Sequence, residues 1–166
     1  MGVGTEVKVQ EYLNTCYSPD VEYVDGALVE RNVGDWLHSL VQSNIIFALR
    51  RKYPHLKVVG ELRSKVTETR YYLPDVCAVL HAPETAYLLD APFLAVEILS
   101  AKDSMTAMME KLQDYENKGV PNIWLIDPRR QRISVYQSGN LIEVKGDVIV
   151  TTEPRCELTR AEIFQQ

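Results

Sequence analysis

Two acidic residues stand where acids are costly. Asp75 sits near the start of PDVCAVL at residues 74–80, and Glu97 stands inside FLAVEIL at residues 93–99. A carboxylate among apolar neighbours is expensive to bury unless something compensates it. Side chains alternate along a strand, so Glu97 shares a face with Phe93, Ala95 and Leu99. If the two runs are neighbouring strands, Asp75 and Glu97 face each other across them. Two bare carboxylates repel, and one of them is pushed to hold a proton. A divalent cation turns that repulsion into affinity, and ligation by oxygen alone suits Mg2+ or Mn2+ with waters completing the shell. The plainer alternatives are a salt bridge to a nearby Arg or Lys, or Asp75 capping a turn after Pro74.

The surrounding elements must hold those two positions. FLAVEIL is apolar on both faces, which predicts a central strand. PDVCAVL predicts another, opened by Pro74 where a missing N–H does least harm. Asp103 or Ser104 caps a helix over residues 104–118, Asp103 reading as a cap rather than a metal ligand, and Gly119 marks its end. Met105, Met108, Met109, Leu112 and Tyr115 fall on one face of it, and Tyr115 reads as core, as does Trp124. IWLIDP at 123–128 is the strand after that helix, so the crossover from Glu97 to Asp127 implies a locally parallel pair.

Upstream, VEYVDGALVE at 21–30 predicts a hairpin about Asp25-Gly26. A short helix over 6–15 precedes it. A long helix over 34–53, capped by Asp35, follows it and ends at Tyr53-Pro54. Residues 56–62 and 64–73 read as extended, the second with a turn near Thr69. A second hairpin over 132–144 turns at Gly139-Asn140, and the tail CELTRAEIF ends in one helical turn. The expectation is one domain over residues 1–166, an α/β or α+β mixed sheet flanked by helices.

Composition narrows the class. At 166 residues the chain can bury a proper core, and its 46% hydrophobic and 25% charged residues exclude a disordered or fibrous protein. A net charge of −5 argues against a strongly cationic nucleic-acid coat and leaves room for a local basic patch. Arg129, Arg130 and Arg132 form one small cluster, which could touch phosphates or simply be solvated. The three cysteines have neither zinc nor disulfide spacing, which suits reduced thiols in a cytoplasmic protein. The first residues lack the apolar stretch of a signal peptide, and no apolar run is long enough to span a membrane.

The motif PD, followed some twenty residues later by VEILS, resembles the PD-(D/E)XK nuclease motif. More specifically, DAPFLAVEILSAKDS together with EKLQDYENKGVPNIWLIDP resembles the Uma family of restriction-endonuclease-like proteins. The likeness takes in the first hairpin and a histidine early in the next helix, and covers about residues 20–137. It implies a restriction-endonuclease-like core, Mg2+ or Mn2+, phosphodiester cleavage in nucleic acid, with DNA as the expected substrate, and a homodimer.

Carried residue by residue, the resemblance makes Asp75 and Glu97 the metal ligands, with the backbone carbonyl of Ile98 as a third. The superfamily lysine would fall at Leu99. In the Uma pattern a lysine on the following helix replaces it, here Lys111, poised to orient the attacking water or stabilise the transition state. His38, Glu30 and Lys102 are further candidates for the same site. Two departures are visible: Ala101 stands where the family usually has Pro, and Ala107 where an acidic residue is frequent. The absent strand lysine keeps open a catalytically inactive module of the same fold that binds nucleic acid or protein. Hydrolysis of another phosphate ester is a third reading.

Overall fold

The structure is a computed structural model that describes residues 6–32 and 34–166. Its largest sheet has six strands in the order β10-β9-β8-β7-β6-β3. β7 (Leu94–Ile98) lies in its interior and is buried at all five positions. β6 (Val76–Val79) pairs antiparallel with it on one side, and β8 (Asn122–Asp127) pairs parallel on the other. The parallel pair is joined by α3 (Met105–Lys118), so the crossover read from the sequence is present. β3 (Lys57–Val59) closes one edge, and the hairpin of β9 (Arg132–Gln137) and β10 (Asn140–Glu143) the other. That hairpin turns on Ser138 and Gly139, both with positive φ, so the tip lies one residue before the expected Gly139-Asn140 pair.

A four-stranded antiparallel sheet, ordered β2-β1-β5-β4, stands apart from the six-stranded one. It joins β1 (Val21–Val24) and β2 (Ala27–Glu30) to β4 (Ser64–Thr67) and β5 (Arg70–Tyr72). Asp25 and Gly26 make the first turn with φ of 50° and 92°, as the DG pair predicts. α1 (Val9–Asn14) lies against this sheet through Tyr12, whose ring stacks 5.2 Å from Tyr23. A third, two-stranded sheet of β11 (Val148–Val150) and β12 (Glu157–Thr159) leads into α4 (Arg160–Phe164).

Alternation along β7 divides the core. Leu94, Val96 and Ile98 pack with Val41, Ile45 and Leu49 of α2 (Trp36–Lys52). Ala95 points the other way, into a cluster with Met108, Leu112 and Tyr115 of α3, to which Val66 and Tyr72 of the smaller sheet also belong. α3 therefore has apolar contacts on both sheets, and Glu97 faces α3. Phe93 precedes the strand and joins the α2 cluster, so it does not share the face of Glu97. Met105 is 46% exposed and lies outside the packed face expected for it. Ser104 caps α3 by accepting from the Ala107 amide. Asp103 instead accepts from the Ser100 amide and from the Asn32 side chain, at 2.6 Å each.

Candidate active site

The register of β6 on β7 pairs Val76 with Val96. Continued by one residue it sets Asp75 opposite Glu97, where cross-strand Cβ atoms lie about 5 Å apart. Both side chains are almost wholly buried, at 3% and 2% exposure. Both line one cavity of about 390 Å3, together with Glu22, Arg31, His38 and Lys111.

Each carboxylate is answered by the chain's own donors. Asp75 Oδ1 accepts from the Arg31 guanidinium at 2.5 Å. Its Oδ2 accepts from the Ile98 amide at 2.7 Å and lies 3.3 Å from His38 Nε2. Gln42 fixes the same residue by donating to its main-chain oxygen at 2.8 Å. Glu97 Oε1 accepts from the Tyr115 hydroxyl at 2.6 Å, and Oε2 from Lys111 Nζ at 3.0 Å. Lys111 is shared, since it also donates to Glu22 Oε1 at 2.6 Å. That oxygen accepts as well from the Leu73 amide, at 2.9 Å. The salt bridges weighed against a metal in the sequence are thus present.

The two acids are not equivalent. Burial, with the charges of Asp75 and Glu22, outweighs Lys111 and the Tyr115 hydroxyl and pushes Glu97 up to about 7. Asp75 is equally buried, but the hydrogen bond and charge of His38, with Arg31 and Lys111, outweigh desolvation and hold it below its ordinary value. Desolvation favours the neutral amine of Lys111, yet Glu97, Glu22 and Asp75 together raise its pKa and keep it charged. His38 is also raised: burial lowers it, and Asp75 more than reverses that. The site is one carboxylate fixed as an anion, one near its titration point, and a charged amine between acids.

Of the residues nominated from the sequence, Asp75, Glu97, Lys111 and His38 converge. Ile98 lines the cavity, and its amide donates to Asp75. Glu30 and Lys102 also line the cavity but are exposed at its rim. Arg129 pairs with Asp35 and Arg130 with Asp127, so two of the three clustered arginines are engaged within the chain. Asp127 accepts from the amides of Arg129 and Arg130 and is the structural turn expected of it. Trp124 is core as expected. Tyr115 is core too, but its hydroxyl belongs to the site. Three participants escaped the sequence: Glu22, Arg31 and that hydroxyl. Glu22 lies between Val21 and Tyr23, which are buried on the other face of β1, so nothing in the pattern marks it as inward.

Two hard oxygen donors on facing strand positions, beside an open cavity, suit a hard divalent ion. Among the described residues, no group of three or more His, Cys, Asp or Glu side chains is arranged to hold an ion. An ion held there would need main-chain oxygen or water to complete its shell, as is usual for Mg2+.

Comparison with known proteins agrees with the geometry. The family model of Uma2, described as "Putative restriction endonuclease", matches residues 9–160. A search of the curated proteins finds no match. Among solved structures, the fold is similar to one from Anabaena variabilis described as a "putative nuclease belonging to DUF820", with a TM-score of 0.79 and 21% identity. The match covers 95% of this chain and 97% of that one, and it establishes a shared fold.

Proposed function

Because the chain belongs to the Uma2 family, we propose that it is a metal-dependent endonuclease that hydrolyses phosphodiester bonds of nucleic acid, with DNA as its substrate. One observation carries this reading: buried Asp75, next before β6, and buried Glu97 of the neighbouring β7 line one cavity, with a buried amine shared between Glu97 and Glu22.

Asp75 and Glu97 would hold the ion, with the Ile98 carbonyl as the further ligand carried over from the family likeness. A bound Mg2+ or Mn2+ supplies Lewis acidity and a water of lowered pKa. His38 keeps Asp75 oriented and ionised. Tyr115 fixes the rotamer of Glu97 through its hydroxyl. Lys111, held charged between two acids, offers a preorganised cation to the negative charge that develops on the phosphate. Rim residues Glu30 and Lys102 would meet the strand at the mouth of the cavity.

The likeness to restriction-endonuclease-like proteins implies, by analogy of fold, a pair of copies. A homodimer belongs to the proposal on that ground, and sedimentation velocity tests it. The three cysteines are free, in keeping with a reducing cytoplasm. Among the described residues, no helix is long and apolar enough to cross a membrane.

A second reading has its own support. Both carboxylates are already paired within the chain, as a non-catalytic nucleic-acid-binding module would require. Plasmid and single-stranded substrates, with and without Mg2+ or Mn2+, separate the two. Cutting that needs the ion and is lost in Asp75→Ala, Glu97→Ala and Lys111→Ala is the expected result. Binding without cutting would support the module instead.

A further inference from the structure

The two permanent cations paired to the central acids, Lys111 and Arg31, are each shared with one acid outside that pair. Lys111 bridges Glu97 and Glu22. Arg31 bridges Asp75 and Glu61, the latter at 3.2 Å. Lys111 can therefore stay on Glu22 when Glu97 turns to an ion. Arg31 can likewise stay on Glu61 when Asp75 does.

Arg31 is the less enclosed of the two, at 20% side-chain exposure against 13% for Lys111. It follows β2, an edge strand exposed at all four residues. The Glu61 side chain is 52% exposed. Lys111, by contrast, sits in the middle of a packed helix. His38, the other cation on Asp75, can lose its proton, but a guanidinium cannot. A dication on Asp75 Oδ1 would meet the fixed charge of Arg31 at close range, so the arginine must move for the ion to bind well.

We propose that Arg31 is a latch on the metal position: its guanidinium neutralises Asp75, lets go of it while keeping Glu61 when a divalent ion binds, and then contacts a phosphodiester oxygen of the substrate. The ion and the nucleic acid are then linked through one side chain. The ion frees the guanidinium, and the phosphate keeps it from returning, so each ligand favours the other. This rests on the metal-site reading above and adds a positioning residue to it.

The test is Mn2+ affinity, read from the free-ion paramagnetic signal without nucleic acid, for the wild type and for Arg31→Gln, Arg31→Ala, Arg31→Lys and Glu61→Gln. Removing the competing charge in Arg31→Gln and Arg31→Ala tightens Mn2+ binding by about tenfold, within the usual range of such couplings. Arg31→Lys stays near the wild type. Glu61→Gln weakens binding, because Arg31 loses its second partner. A merely structural role predicts the reverse for Arg31, since damage to the site lowers affinity. Should Arg31→Ala melt early, Arg31→Gln retains a hydrogen-bond donor and carries the comparison. A labelled oligonucleotide should bind the wild type more tightly when Ca2+ is added, and Arg31→Gln should show no such gain. Equal or weaker Mn2+ binding in Arg31→Gln overturns the latch. Asp75→Asn and Glu97→Gln are the controls: if they bind Mn2+ as the wild type does, the metal-site reading itself fails.

Discussion

Glu97 is the residue on which pH should act. Burial, reinforced by Asp75 and Glu22, puts its pKa at about 7, against an ordinary value of 4.5. Between those values the folded protein holds a proton that the unfolded chain releases. This group therefore makes the metal-free protein less stable as pH rises from about 4.5 to about 7. Asp75 has the opposite sign: its lowered pKa contributes stability that is lost as pH falls below the ordinary carboxylate range. A cation needs the ionised form of both. Mn2+ affinity is expected to fall by up to about tenfold per pH unit below the titration point of Glu97, one proton being displaced per ion. Calorimetric titration from acid to neutral pH checks this, and a flat profile would contradict it. Tyr115→Phe deletes a hydroxyl that lowers Glu97 and leaves a buried acceptor short of one donor. The acid limb of cleavage should move to higher pH, and stability should fall by about 1–3 kcal/mol in denaturant melts. Lys111→Met, which keeps the stem and removes the charge, should lower kcat by on the order of 100-fold or more while the protein still binds substrate. Unchanged turnover in that variant would remove the amine from the mechanism.

Among the elements, α2 and α3 carry the supporting shell, and their ends are the sensitive points. Asp35 caps α2 by accepting from the His38 amide at 3.0 Å, so one carboxylate sets both the start of the helix and the residue facing Asp75. Asp35→Ala should cost about 1 kcal/mol in chemical melts. A methyl group at Gly34 would lie 2.7 Å from His38 Nδ1, so Gly34→Ala must displace the imidazole. It should weaken metal binding without a comparable loss of stability, as paired titrations and melts would show. Gly119 offers the contrast. It ends α3 at a φ of 92° and has open space around its missing Cβ, so Gly119→Ala should cost about 1 kcal/mol for backbone strain alone and leave metal affinity untouched. Long elements were legible in the sequence: β7 by a run apolar on both faces but for Glu97, α2 and α3 by caps and length, the first hairpin by Asp25-Gly26. The pairing of β4 and β5 with β1 and β2 was not, because the sheet a short strand joins is decided by distant partners. β11 and β12 escaped because each has three residues and a single buried one, too little for a period to show.

At the scale of the whole molecule, a chain of net charge −5 must bind a polyanion through few contacts. Arg129 and Arg130 are paired internally, and the wall of the cavity carries more acids than cations, so few of its side chains can meet phosphate. The logarithm of the nucleic-acid binding constant should therefore fall with log salt at a slope of only about −2 to −4, as for two to four phosphates. Anisotropy titrations over a range of salt would show it, and a slope near −8 would point to a basic surface elsewhere. The acidic pair of the site was readable because Asp75 and Glu97 interrupt apolar strands. Lys111 needed the family likeness, since a helix lysine alone signals solvent. Glu22 and Arg31 look like ordinary hairpin charges until folding brings two sheets and α3 together around them. What joins these scales is the cation proposed to be shared by Asp75 and Glu97. A crystal soaked in Mn2+ and measured for anomalous scattering tests that most directly. The account predicts a peak between the two carboxylates, within metal-ligand distance of an oxygen from each. No peak there, while Mn2+ occupies another place on the protein, would contradict it.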